Sequence, residues 1–498
     1  MIAIKKYYFL LLAMFACMGC EKLEDTYSDF AGDGEIRYLG QCEDVTLKLG
    51  WKKLLLQWTN SVDPLIAHIK VTWKLEEEKE EVLLDPNTTE YTIDGLTDGT
   101  YEVTVCGVDN EGNESLAATL YGRPYTESHE MVQNIPQLVT KHFFVGNRLA
   151  LFFSNWSESI RNARLTYTKA DGTPGNLELT SDWINQHPYY LLSDEIKEGT
   201  PVFLKRKGVL GEDEIELADV ELERNAVFSN DFKTLFRARF GTEEPTADQL
   251  ASIEELDIDY SLNSLEDILY LPYLKRLNLG KNRYLNAAYL SANQSASVLL
   301  EDKERSLFAL QVANEILHTE VYQYNRHFLP DTTLPYMHQE GNPVPAEHTF
   351  LSAEHFDLTA TPQDEADFDS HLEWLSDGNL LTCWEPIQSD SWREHEIVAA
   401  LDNPSILQGV RIIQKSFGQY NSADKAFAPS VVKIQVSSDG IDWNNATYLD
   451  EITIGNTGGE ITDVYFTTRK NVNFIRFVIG DLVYGNNFDV QLAEIKLF

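Results

Sequence analysis

The sequence has 498 residues, and at about 150 residues per domain that length implies several domains instead of a single core. It carries 79 Asp and Glu against 40 Lys and Arg, a formal net charge of -39, and a field of that sign argues against nucleic acid and anionic lipid as partners. Hydrophobic residues at 43% and aromatics at 11% are enough to fill cores and exclude wholesale disorder.

Lys5 and Lys6 precede an apolar run, Tyr7 to Ala16, that is too short to span a bilayer and ends at Cys17-Met18-Gly19-Cys20. Residues 1–19 therefore read as a secretory leader. The Gly19-Cys20 junction resembles a bacterial lipobox, which implies cleavage there and acylation of Cys20; Cys17 and Met18 depart from the usual residues, and an ordinary cleaved signal is the alternative. The tether, residues 20–35, opens with the acidic stretch Glu21-Lys22-Leu23-Glu24-Asp25, which resembles a surface-export tag of some Gram-negative groups. The resemblance implies an outer-membrane protein that faces the exterior and touches the membrane only through its lipid. Without Cys17 and a lipidated Cys20, only Cys42, Cys106 and Cys383 remain, so no disulfide framework is expected. Cys42 and Cys106 read as two buried thiols, with a bond between them as the alternative.

Residues 36–124 alternate apolar and polar positions between turn signals, as short half-buried strands do. Leu54 to Trp58, Ile69 to Trp73 and Gly99 to Asp109 are three such strands. The stretch resembles a fibronectin type III domain, and the resemblance implies that Trp58 packs the core and Tyr101 forms a corner, with Leu96 upstream. Residues 125–226 read as a second sandwich of that kind, with Arg148 to Phe153 and Ala163 to Tyr167 as strands and Asp171-Gly172-Thr173-Pro174-Gly175 as a turn.

The period then changes. Within residues 227–345, Leu256-Asp257-Ile258 recurs 21 residues later as Leu277-Asn278-Leu279, with Leu265, Ile268 and Leu274 between. This resembles one to two leucine-rich-repeat turns, too few to bury a core alone, so the segment is expected to lean on its neighbours as an adaptor. Leu307, Leu310, Val312, Ala313, Ile316 and Leu317 predict an amphipathic helix within Asp302 to Tyr324.

Residues 346–498 carry the most specific signal. Asp377-Gly378-Asn379-Leu380-Leu381-Thr382-Cys383-Trp384 is followed in order by Gly409 to Ile413, by Val432 to Trp443, by Phe474 to Ile479 and by the closing Ala493-Glu494-Ile495. Together these resemble a discoidin domain, also called coagulation factor 5/8 type C or galactose-binding-like, which implies an eight-stranded jelly roll. The predicted fold class is mainly β and multidomain: tandem fibronectin type III-like sandwiches, a small α and leucine-rich-repeat-like adaptor, and a C-terminal discoidin-like roll.

Asp377, Thr382 and Glu494 are hard oxygen donors, and by the same resemblance they are the expected ligands of a structural Ca²⁺. The alternative is a metal-free corner in which Asp377 caps its own turn. Relatives bind ligands through loops at one end of the roll, where an aromatic stacks on a sugar face and polar side chains hold its hydroxyls. Three loops have suitable composition, with Arg393 in Asp390 to His395, Tyr420 in Phe417 to Asn421, and Tyr484, Asn486, Asn487 and Phe488 in the last, where the resemblance implies that Tyr484 or Phe488 is the aromatic platform. Trp384, Trp392 and Trp443 are expected in the core, and His371 and His395 in turns or at the surface. No H-E-x-x-H, G-x-S-x-G, Walker or dinucleotide motif occurs, so no catalysis is expected. The resulting expectation is a surface lipoprotein accessory to polysaccharide capture, binding a neutral glycan or glycoprotein and working beside an outer-membrane transporter complex. The alternative is a structural or adhesion lipoprotein whose roll docks a protein partner.

Overall fold

A computed structural model describes residues 38–211, 213–285, 299–365, 370–416, 427–447, 449–455, 457–484 and 486–498. The leader, Cys20 and the tether lie outside the described residues, as does Tyr420. The chain divides into two compact units, the first taking the described residues up to Pro136 with Ser157–Arg164 and Lys205–Asp219, the second taking the rest.

In the first unit the alternation of Lys53–Thr59 buries Leu54, Leu56 and Trp58 on one face, and that of His68–Leu75 buries Ile69 and Val71. The strands form one antiparallel sheet of three (Glu43–Gly50, Lys53–Thr59, Glu90–Asp94) and one of four (Glu78–Leu84, His68–Leu75, Tyr101–Val108, Ala118–Gly122). Their inner faces meet in a core holding Trp58, Leu96 and Tyr101, a two-sheet sandwich as expected. The Tyr101 hydroxyl accepts the Thr97 backbone N–H at 3.2 Å, which closes the corner. Cys42 and Cys106 are free and buried, and burial beside Glu114 pushes the Cys106 thiol up to about 11. Lys53 and the Trp51 backbone N–H both reach Asp213, at 2.6 and 2.9 Å, which ties the later hairpin residues into this unit.

Within residues 125–226, strands Val139–Val145, Arg148–Phe153 and Tyr189–Leu191 form a three-stranded sheet of the second unit. Strands Ile160–Thr168 and Phe203–Leu210 each have residues in both units. Phe143 and Phe152 belong to the same core as Phe228, Phe236 and the repeat leucines Leu256, Leu265, Leu277 and Leu279. The repeat segment does lean on its neighbour, because its leucines need a second apolar layer to bury against.

The repeat is longer than its leucines suggest. Glu255–Ile258, Arg276–Leu279, Glu320–Tyr324 and Met337–Glu340 form a four-stranded sheet, parallel throughout. The expected helix spans Lys303–Val312, capped by the Asp302 carboxylate on the Arg305 N–H, and winds on through Ala313–Leu317. It stops at His318, which takes a left-handed φ of 61°, so Glu320–Tyr324 is a strand and not the end of the helix.

The C-terminal roll is built on two strands of 20 residues, Glu394–Ile413 and Ile461–Gly480, antiparallel and interrupted by register shifts at Ala400/Ser405 and Leu407/Gly409. Phe356–Thr361, Val431–Ser437, Asn444–Asn445 and Glu494–Leu497 complete its share of a seven-stranded sheet. The hairpin Leu482–Tyr484 with Asn487–Asp489 adds two more strands. The seventh strand of the sheet is Arg283–Tyr284 from the adaptor. Trp384, Phe477, Ile397 and Ile495 lie in a core that excludes water almost completely.

Candidate functional site

The closing strand carries Glu494 into the roll, and the turn after Leu372–Ser376 brings Asp377 and Thr382 to meet it. Glu494 Oε1 accepts the Gly378 backbone N–H. The Thr382 hydroxyl donates to Asp377 Oδ2 at 2.8 Å, and Asp377 Oδ1 accepts the Asn379 N–H at 2.7 Å, the turn-capping contact expected of a metal-free corner. Burial, with Asp377 alongside, pushes the Glu494 carboxyl up to about 7 although Lys496 approaches its Oε2 at 3.5 Å. Glu494 Oε2 is buried and accepts no hydrogen bond. The corner thus brings two carboxylates and a hydroxyl together, and among the described residues no group of three or more His, Cys, Asp or Glu is gathered as a metal site would gather them.

At the loops, the hairpin pairs Tyr484 with Asn487 through their backbones; their side chains lie outside what is described. Asn486 is exposed at its turn and Phe488 is half-buried beside it. Phe488 exchanges backbone hydrogen bonds with Ser389, N–H to carbonyl at 2.9 and 3.2 Å, which draws the loop before Glu394 onto the hairpin. Arg393, in that loop, is engaged inside the protein: Nη1 on Asp364 Oδ2 at 3.0 Å, Nε on Asp481 Oδ2 at 3.3 Å, and Nη2 on the Ile387 carbonyl. It braces the loop.

Three expectations are corrected here. Trp392 is not core: it is 45% exposed, because it lies two residues before the strand begins and its chain runs along the rim. Its indole N–H donates to the Asp481 carbonyl at 3.0 Å and approaches Ser430 Oγ at 3.4 Å, and its ring covers Gly480, where a Cβ would stand 2.8 Å from it. The result is a fixed, flat, exposed aromatic in the named loop cluster. Trp443 is half-buried, with the Arg476 guanidinium 4.4 Å over its ring. His395 is fully buried, its Nε2 2.7 Å from Asp481 Oδ1 and its ring edge-on to Trp384. The signal for it was present, since His395, Ile397 and Ala399 share one face of an alternating strand. His371 is at the surface as expected, on Glu365 at 3.0 Å.

Ile387, at 53%, adds an exposed apolar side chain to the loop that carries Trp392, and Leu381, at 55%, is exposed in the loop after Asp377.

A family described as a domain of unknown function matches residues 20–223, less than half of the chain. No curated protein matches. Among solved structures, the chain is similar to the family 32 CBM of NanJ from C. perfringens in complex with galactose, at 15% identity over 30% of this chain and 97% of that one, TM-score 0.24. It is similar to the C-terminal domain of a chitobiase from Bacteroides fragilis, at 23% identity over 30% of this chain and 97% of that one, TM-score 0.24. It is also similar to a segment of two fibronectin type III domains from chicken tenascin, at 15% identity over 37% of this chain and 99% of that one, TM-score 0.19.

Proposed function

We propose that this chain is a lipoprotein, acylated at Cys20 and displayed on the outer membrane, that captures uncharged glycans or glycoproteins through the loop end of its C-terminal roll and performs no chemistry on them. The observation that carries the reading is Trp392, whose indole is pinned by hydrogen bonds yet leaves much of its surface to solvent beside the Phe488 hairpin. A pyranose presents a patch of C–H groups that lies well on such a face, and fixing the ring beforehand lowers the entropic cost of binding. The Ser389, Ser391 and Gln388 side chains of the same loop supply directional polar groups. In this reading Asp377, Thr382 and Glu494 hold a structural Ca²⁺, which neutralises the paired carboxylates and fixes the first loop against the last strand. An accessory role beside an outer-membrane transporter belongs to the same proposal.

The test is a glycan array, followed by titration of the best sugar, on the whole chain without its leader. Losing one stacking face costs about 0.5–1.5 kcal/mol, so Trp392→Ala is expected to weaken binding roughly two- to twelvefold, and Phe488→Ala to weaken it as well. Chelation is expected to weaken binding in the wild type and to leave Glu494→Gln unaffected. No retained glycan, or full affinity in both aromatic variants, would reject the reading.

A further inference from the structure

A cleft of about 710 Å³ opens within the second unit, between the first strands of the parallel sheet and the roll, and shares no lining residue with the loops that carry Trp392. One wall is the exposed edge of Glu255–Ile258, with Glu255 and Asp257 pointing to the same face, and Lys281 and Asn282 from the turn after Arg276–Leu279. The rest of the lining includes Leu449 and Tyr465 of the roll and Asp231, Phe232, Leu235 and Arg239 of the helix Asn230–Phe240. Its volume lies inside the range of about 300–1,000 Å³ that small-molecule sites occupy.

The polar wall is ordered before any ligand arrives. The buried Asn278 amide donates to Glu255 Oε1 at 2.6 Å and to Asp257 Oδ1 at 2.5 Å, which fixes both carboxylates side by side. Lys281 Nζ stands 3.2 Å from Asp257 Oδ2 and 3.5 Å from Glu255 Oε1, and Arg276 Nε 3.6 Å from Glu255. The lining sets Asp231, Glu255, Asp257 and Asp259 against Arg239 and Lys281, which turns anionic ligands away, and each of the four acids already accepts a hydrogen bond inside the protein, so none is a bare carboxylate waiting for a cation. An acceptor held beside a donor is instead the arrangement that satisfies neighbouring hydroxyls, each of which gives and takes a hydrogen bond. These groups remain reachable, with the Lys281 and Asp257 side chains 40% and 38% exposed. Opposite them the Tyr465 ring is held edge-on by His348 and Phe498, at 5.9 and 5.5 Å, and offers an apolar surface of fixed orientation.

We infer that this cleft is a second binding site, for a short uncharged oligosaccharide, with Asp257 and Lys281 holding adjacent hydroxyls and Tyr465 with Leu449 covering the apolar face of a ring. It uses no residue of the loop site, so either site can fail without the other.

The experiment takes the whole chain without its leader in a Trp392→Ala background, which removes the platform of the loop site. Cellobiose, lactose, maltotriose and N-acetylchitotriose are titrated and followed by saturation-transfer NMR. At least one is expected to saturate, and Asp257→Asn and Lys281→Met are each expected to weaken it by about tenfold, the loss for one charge-assisted hydrogen bond. Leu449→Trp, which fills the cleft without changing Asp257 or Lys281, is expected to cut the signal to what the weakened loop site alone gives. Thermal unfolding of each variant reports whether the fold is kept. Failure of all four sugars to saturate, or affinities unchanged in Asp257→Asn, Lys281→Met and Leu449→Trp, would overturn the inference.

Discussion

Asp489 is buried near the loop end of the roll, with Glu385 half-buried beside it. Burial, each carboxyl's proximity to the other and their mutual hydrogen bond raise the Glu385 carboxyl, although Gln491 donates to it and Lys415 is near; burial likewise raises Asp489 against the hydrogen bonds it accepts from Gln388 and the Val490 N–H. One proton held between two such groups is the low-energy state, because two charges in low dielectric repel. An acid raised in the folded state contributes stability that is complete below its unfolded value and is lost as pH rises through the folded value. Stability of the second unit is therefore expected to fall as pH climbs above the ordinary carboxylate range near 4. Glu385→Gln, which replaces the shared proton by an amide N–H, is expected to flatten that slope in thermal unfolding followed against pH; an unchanged slope would show that the pair is not its source. The same loop end shows what single residues disclose in sequence. Asp377, Thr382 and Glu494 are brought together by motif order alone, whereas Trp392 was misplaced because its exposure depends on where a strand starts, a boundary that alternation fixes only to within a few residues.

A strand of only two residues makes one of the most consequential contacts among the described residues. Arg283–Tyr284 leaves the repeat segment to pair with Thr462 and Ile461 at one end of the long roll strand. Arg283 is fully buried there, its Nη1 donating to the Asp259 and Thr453 carbonyls at 3.0 and 2.6 Å and its Nη2 3.5 Å from Glu460 Oε1, with His327 3.6 Å from the same oxygen. Removing one partner of such a pair strands the other charge in low dielectric, so Arg283→Met is expected to cost about 3–5 kcal/mol in denaturant unfolding. The double variant with Glu460→Gln is expected to be more stable than Arg283→Met alone, and equal losses in the two would mean that the pair carries no coupling. Nothing in a two-residue strand has a period, which is why sequence patterning passes over it. The same holds for Glu320–Tyr324, which follows directly on a helical apolar pattern that the left-handed turn at His318 ends. By contrast the sandwich strands around Trp58 and Tyr101 were legible, since one face is buried and the other is wet.

At the scale of the whole chain, sequence gives the order of the regions but not which of them share a core. Phe143 and Phe152 alternate like residues of a sandwich, yet the layer they face is made of leucines more than 100 positions later, a long-range choice that no local window contains. What the whole chain does announce is its charge of -39, and that charge separates the two readings of its function. An uncharged glycan feels little of this field, so its affinity is expected to change by less than about twofold between roughly 50 and 500 mM NaCl, a range over which the screening length falls from above 10 Å to a few ångströms. A protein partner chosen by an acidic surface of this size would be basic, and its association would slow and weaken steeply over the same range. Thermal unfolding supplies the control: added salt screens the self-repulsion of the acidic chain, so the midpoint is expected to rise while glycan affinity stays level. Affinity that collapses with salt would move the argument from a sugar on Trp392 to a docked basic surface.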